Sequence, residues 1–198
     1  MSASISGYPC DLVDSPPFMK FWYTRTMRIL AALLIVASVS FPALHAQQTG
    51  ASIDLPAGVR VVLQAKGDGV QIYTCTSTPG GAKWVLKAPD AKLLDASGKS
   101  IGAHFAGPTW KLNDGSQVQG ELLANKPAPE AGSVAWLLLR AKAGTASGAL
   151  ANVAYIRRTE THGGAAPASG CKGAQDSGKT VQVPYAATYT FYSEAAPR

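Results

Sequence analysis

The chain has 198 residues, 46% of them hydrophobic, and 18 Lys and Arg against 12 Asp and Glu leave a formal net charge of +6. The basic residues are scattered rather than clustered. That excludes the concentrated positive patch of a nucleic-acid binder and leaves a mild attraction to anionic surfaces.

Residues 1–18 precede two better starts, Met19 and Met27, and read as a spurious N-terminal extension. From Met27, "MRILAALLIVASVSFPALHAQQ" has a basic start, an apolar run from Ile29 to Val39 and a short tail ending at Ala46. This is the anatomy of a secretory signal peptide. Residues 19–46, starting at Met19 or Met27, are therefore expected to be signal peptide, and the product to be exported, periplasmic or extracellular. The apolar run falls short of the ~20 residues of a membrane span, and no later segment supplies one, so no transmembrane anchor is expected.

Cleavage after Ala46 would leave the 152 residues 47–198, with 15 Lys and Arg against 10 Asp and Glu. That length suits one domain with a proper core. Of the three cysteines, Cys10 lies in the discarded region. The remaining two, Cys75 and Cys171, are expected to form a disulfide in an oxidising compartment.

Beyond the leader, short runs rich in Val, Ile, Tyr and Trp recur at intervals of roughly ten residues, separated by Gly, Pro, Asp and Ser, the pattern of a sandwich or barrel. The sequence predicts strands at Arg60–Ala65, Val70–Ser77, Lys83–Lys87, Ala91–Asp95, Ser100–Phe105 and Thr109–Leu112. Further strands are predicted at Gln117–Ala124, Ala135–Ala141, Ala151–Arg158, Thr180–Val183 and Thr188–Tyr192. The first two flank Gly67-Asp68-Gly69 and read as a hairpin. "VAWLLLR" is apolar throughout and reads as a strand covered on both faces. Residues 160–179, dominated by Gly, Ala, Pro and Ser, read as a loop that Cys171 would tie down. The fold class is thus a single-domain all-β antiparallel sandwich or distorted barrel with one disulfide.

"GAQDSGKT", Gly173–Thr180, fits the phosphate-cradling pattern G-x-x-x-x-G-K-[ST]. That chemistry needs a helix after the lysine, whose N-terminal amides hold the phosphates. Here "TVQVPY" follows, a strand pattern, and "DASGKSI" at Asp95–Ile101 repeats the same punctuation. Both read as turns whose glycine takes a positive φ before a strand, and no nucleotide is expected.

The densest group of chemistry-bearing residues is "HFAGPTWKLNDGS", with His104, Trp110 and Asp114, followed by Glu121; Lys87, Asp90 and Asp95 are candidate neighbours. A histidine beside a carboxylate is the minimal unit of general acid–base work, because the carboxylate fixes the tautomer of a group that titrates near neutrality. Gly107-Pro108 marks a bend that would bring His104 and Trp110 together. Trp84, Trp110 and Trp136 are candidates to line one face, as rings do where they stack on sugars. At strand spacing Tyr185, Tyr189 and Phe191 share a face and Tyr192 does not. His162 is the other histidine beyond the leader, and with no H-x-H or C-x-x-C spacing no metal site is expected. No G-x-S-x-G elbow is present either.

The stretches "LPAGVRVVLQAKGDGVQIYTC", "HFAGPTW", "AWLLLRA", "GGAAPASGC" and "VPYAATYTFY" resemble the family catalogued as domain of unknown function 3455, over nearly all of Leu55–Tyr192. The resemblance implies an exported protein without an established activity. No cofactor is expected: a nicotinamide site requires G-x-G-x-x-G between strand and helix, and Gly67-Asp68-Gly69 leads into a strand. Taken together, the residues point to a non-enzymatic binding or envelope-associated β-domain for a small molecule or saccharide, with a pocket formed by His104, Trp110, Lys87 and Asp90. The alternatives are a small hydrolytic or saccharide-active enzyme using His104 with Asp114 or Glu121, and a structural surface protein that self-associates.

Overall fold

The computed structural model describes residues 52–195, so the readings made on 1–18 and 19–46 lie outside the described residues. Eight strands follow in order: β1 (Val59–Thr78), β2 (Gly81–Leu94), β3 (Ser100–Phe105), β4 (Thr109–Leu112), β5 (Gln117–Lys126), β6 (Trp136–Gly144), β7 (Tyr155–Gly163) and β8 (Thr180–Glu194). Each pairs antiparallel with the next and β8 returns to β1, closing an up-and-down barrel. The all-β expectation holds, and of the two architectures left open the barrel is the one formed. Among the described residues the helical content is one 3-10 turn, Ala174–Asp176, and no helix is long and apolar enough to cross a membrane.

Alternation builds the interior. Ala65, Ala91, Leu93, Trp110, Leu112, Val118, Leu139 and Ile156 meet Tyr185, Ala187, Tyr189 and Phe191 of β8 in one buried cluster. Tyr192, out of phase, joins Ile53, Leu138 and Tyr155 in a second cluster. In β6, Leu137 and Leu139 pack on the first cluster and Leu138 on the second. The unbroken apolar run "VAWLLLR" is therefore covered on both faces, as its composition requires.

Three predicted breaks are absent. Gly67-Asp68-Gly69 is not a turn: β1 runs through it, with Gly67 opposite Leu93 and Ala187 and Gly69 opposite Ala91 and Tyr185. A Cβ at Gly67 would stand 2.5 Å from the Tyr189 ring, and one at Gly69 would meet the Asp90 carbonyl. These glycines mark close approach across a crowded interior. Lys83–Lys87 and Ala91–Asp95 merge into β2 through a bulge at Lys87, and the last two predicted strands merge into β8. Pro89 and Pro184 each lie where their strand pairs with β1 alone. A strand edge tolerates proline because no ladder hydrogen bond is lost there. Conversely, the strand predicted from Ala151 begins only at Tyr155; the residues before it form a loop that sends Leu150 into the core.

Cys75 and Cys171 are bonded, with Cα atoms 5.5 Å apart and a sequence separation of 96. The loop after β7 is fastened further. The Trp84 indole donates to the Ser169 carbonyl at 2.8 Å, the Cys75 amide to the Lys179 carbonyl, and the Gly178 amide to the Cys75 carbonyl. "GAQDSGKT" is a 3-10 turn with Gly178 at φ 84°, and it leads directly into β8.

Candidate functional site

The β3–β4 hairpin is short. β3 pairs with β2 only over Ala91–Leu94, and β4 pairs with β5 only over Gln117–Gln119. Gly81–Asp90 of β2 is therefore paired only to β1, and Leu122–Lys126 of β5 only to β6. The wall is notched between these two segments, beyond the hairpin tip at Ala106–Pro108. A cavity of about 450 Å³ opens there. Its walls are Leu86, Ala88 and Pro89 of β2, Leu122 of β5, Leu137 and Leu139 of β6, and the hairpin tip; Gln71, Lys87, His104 and Arg158 are its polar lining.

His104 is 3% exposed and stacks on Trp110, with ring centroids 4.4 Å apart and planes 9° from parallel. Register places the two rings opposite each other across the hairpin, His104 against Trp110. The Trp110 ring in turn meets Tyr189 and Phe191 edge-on. His104 Nδ1 lies 2.8 Å from the Thr109 carbonyl. A carbonyl can only accept, so Nδ1 carries the proton and Nε2 of the neutral ring is an acceptor. Burial drives the His104 pKa down to about 4; the Thr109 hydrogen bond opposes this and the Arg158 charge adds to it. The imidazole is therefore neutral at pH 7.

Arg158 is in phase with buried Ile156, so β7 turns a cation toward the interior. Its Nε and Nη2 both donate to the Ala135 carbonyl, at 3.1 and 2.8 Å. Among the described residues it forms no salt bridge, and the cavity lining holds two cations and no carboxylate. Gln71 is 1% exposed, and among the described residues neither its Oε1 nor its Nε2 has a hydrogen-bond partner. An orphaned buried amide costs about 1–3 kcal/mol. Deeper in the barrel the Tyr185 and Tyr189 hydroxyls lie 3.3 Å apart, and burial raises the pKa of each well above the usual phenol value.

The structure brings together three of the residues singled out from sequence: His104 and Lys87 line the cavity and Trp110 supports it from behind. Asp90 is exposed, and it does not line the cavity. Asp114 accepts from the Ser116 amide and hydroxyl and, at 2.8 Å, from the Ala149 amide; these bonds hold its pKa below the usual carboxylate value, the Ala149 bond most of all. Those partners lie in the turn before β5 and the loop before β7, at the opposite end of the barrel from the hairpin tip. Glu121 is exposed on β5, out of phase with buried Val118 and Gly120. Neither carboxylate is a hydrogen-bond partner of His104, whose bond goes to Thr109. Trp84, Trp110 and Trp136 do not share a face: Trp110 is in the interior cluster, Trp136 packs on the outer one, and Trp84 holds the disulfide loop. His162 is exposed and bonded to Glu130 at 2.6 Å, and among the described residues no three His, Cys, Asp or Glu side chains gather as a metal site would require.

A family model matches residues 56–193, from just before β1 to the penultimate residue of β8. The chain belongs to the family described as protein of unknown function (DUF3455). The barrel, the notch and both disulfide cysteines all fall inside the matched span. No curated protein and no solved structure matches the chain. Gln71 and Arg158 escaped the reading of candidates from sequence. Their signal was alternation, since each polar residue sits in phase with residues that face the interior: Gln71 with Ala65, and Arg158 with Ile156.

Proposed function

We propose that this DUF3455 protein is an exported, non-enzymatic binding barrel that takes up a small molecule through the notch between β2 and β5. The observation that carries the reading is the cavity, about 450 Å³ with mostly apolar walls and a few polar groups, among them the unpartnered amide of Gln71. Ligand sites are concave, mainly apolar and equipped with a few placed polar groups, in volumes of about 300–1,000 Å³. Barrels of eight strands are just wide enough to hold one small ligand.

Binding is favoured over catalysis by His104, whose Nδ1–H is committed to a backbone carbonyl rather than oriented by a carboxylate. Export is supported by the disulfide, which persists in oxidising compartments, and by the signal pattern of residues 19–46. A thermal-shift screen of the oxidised protein against fatty acids, sugars and organic acids tests the reading, because a ligand that binds the native state raises Tm by mass action. The expected result is a concentration-dependent rise for at least one class that is lost when Leu139→Trp fills the cavity. Rises that persist undiminished in Leu139→Trp would overturn the site, and none in any class would overturn the function.

A further inference from the structure

We infer that the ligand is a free anionic amphiphile, a medium-length alkyl or aryl chain ending in a carboxylate, with its charged end at Arg158 and Gln71 and its chain leaving between Leu86 and Leu122. This rests on the binding-barrel reading and specifies its chemistry.

The charge of the lining sets the sign. Arg158 and Lys87 face the cavity without a carboxylate among the lining residues, and Arg158 keeps donor capacity beyond its bonds to Ala135. Guanidinium paired with a carboxylate is among the strongest hydrogen-bonded contacts available, and a cation in a low-dielectric cleft without a counter-ion favours an anionic guest. The Gln71 amide, orphaned and 1% exposed, offers its N–H to a second carboxylate oxygen. His104, stacked on Trp110, contributes a flat neutral wall and no competing charge.

The apolar part is set by the rest of the lining. Leu137, Leu139 and Pro89 form the inner wall, while Leu86 and Leu122 stand 49% and 52% exposed at the two unpaired strand edges. Their chain neighbours Val85 and Leu123 are exposed as well, outside the cavity lining. Large apolar side chains left in water on both lips of a cleft mark a surface that something apolar covers. A sugar or a small hydrophilic acid has nothing to place against them.

The test is calorimetric titration of the oxidised protein at pH 7.5 with decanoate and decyltrimethylammonium below their micellar concentrations and 1-decanol below its solubility limit. The expected result is decanoate bound about tenfold or more tighter than the alcohol, with the cation weakest. Arg158→Gln is expected to erase the preference for decanoate while leaving decanol affinity unchanged, which also shows that the variant is folded. Gln71→Leu is expected to weaken decanoate several-fold and to raise Tm. Equal binding of decanoate and decanol would overturn the headgroup assignment and leave the cavity reading standing. Binding of none of the three, with no Tm rise from any other class, would remove both. Cosedimentation with phosphatidylglycerol vesicles without binding of monomeric decanoate would overturn the inference in favour of a membrane surface.

Discussion

The two ends of this barrel are built from the same strands and finished in opposite ways. At one end, the loop between β6 and β7 turns Leu150 into the core as a plug. The Ala149 amide is fastened to Asp114 and the Leu150 amide to the Ser116 hydroxyl. At the other end, the β3–β4 hairpin stops short and the space beyond it is left to Gln71, Lys87, His104 and Arg158. At the plugged end Asp114 and Ser116 are hydrogen-bonded to each other and to the loop, and Leu150 is buried. The notched end leaves an amide orphaned and a cation without a carboxylate, which are costs that stability alone would not retain.

Trp110 stands between the ends, stacked on His104 on one side and packed against Phe191 on the other. Trp110→Ala removes the largest fully buried side chain, and a loss of about 4 kcal/mol is expected, within the usual range for such truncations. Urea unfolding measures it, and a loss under about 1 kcal/mol would show that the stacked pair is not what joins the two ends. Leu150→Ala strikes the plugged end alone. A loss of about 3 kcal/mol is expected, with ligand affinity at the notch unchanged. A comparable loss of affinity would mean that the two ends are mechanically coupled, and the contrast between them would fail.

The notched end carries its own pH signature. The folded His104 pKa lies near 4 against an ordinary 6.5, because burial disfavours the charged ring. Between these values the unfolded chain takes up a proton that the folded chain refuses, so stability falls as pH drops from about 6.5 toward 4 and the effect saturates below. From pH 7.5 to 5 the expected loss is about 2 kcal/mol, and His104→Phe, which keeps a flat ring on Trp110, is expected to abolish it. Carboxylates with lowered pKa, Asp95 and Asp114 among them, lose stability at more acid pH and do not mimic this window. A wild-type slope that survives in His104→Phe would assign the effect elsewhere.

The barrel wall and the cavity differ in how far the sequence alone reveals them. Alternation in "YAATYTFY" puts Tyr185, Tyr189 and Phe191 on one face and Tyr192 on the other, which the two core clusters reproduce, and the expected Cys75–Cys171 bond is formed. Gly67 and Gly69 mislead, because the same residue that ends strands in open sheets also serves the close approaches of a crowded barrel. "HFAGPTW" did mark the hairpin behind the cavity. Its carboxylate neighbours did not converge on it: after the turn at Asp114 the chain enters β5, where Glu121 points outward. Gln71 and Arg158 were hidden for a different reason. Alternation puts each in phase with Ala65 or Ile156, but which of the two faces is interior is fixed only by the pairing partners.

Gln71 gives the smallest expected effect and the sharpest contrast. Replacing a buried polar group that has lost its partner by an apolar one of similar size is neutral or favourable, because the desolvation cost disappears while packing is retained. Gln71→Leu is therefore expected to raise stability by about 1 kcal/mol, read as a higher urea midpoint at unchanged m-value. The same substitution is expected to weaken decanoate binding. A residue kept for stability would give the first result with the opposite sign. A residue buried by accident would give the first result without the second. Only a polar group held in reserve for a guest gives both, which is the stability-for-function exchange expected where a binding site is carved from a core.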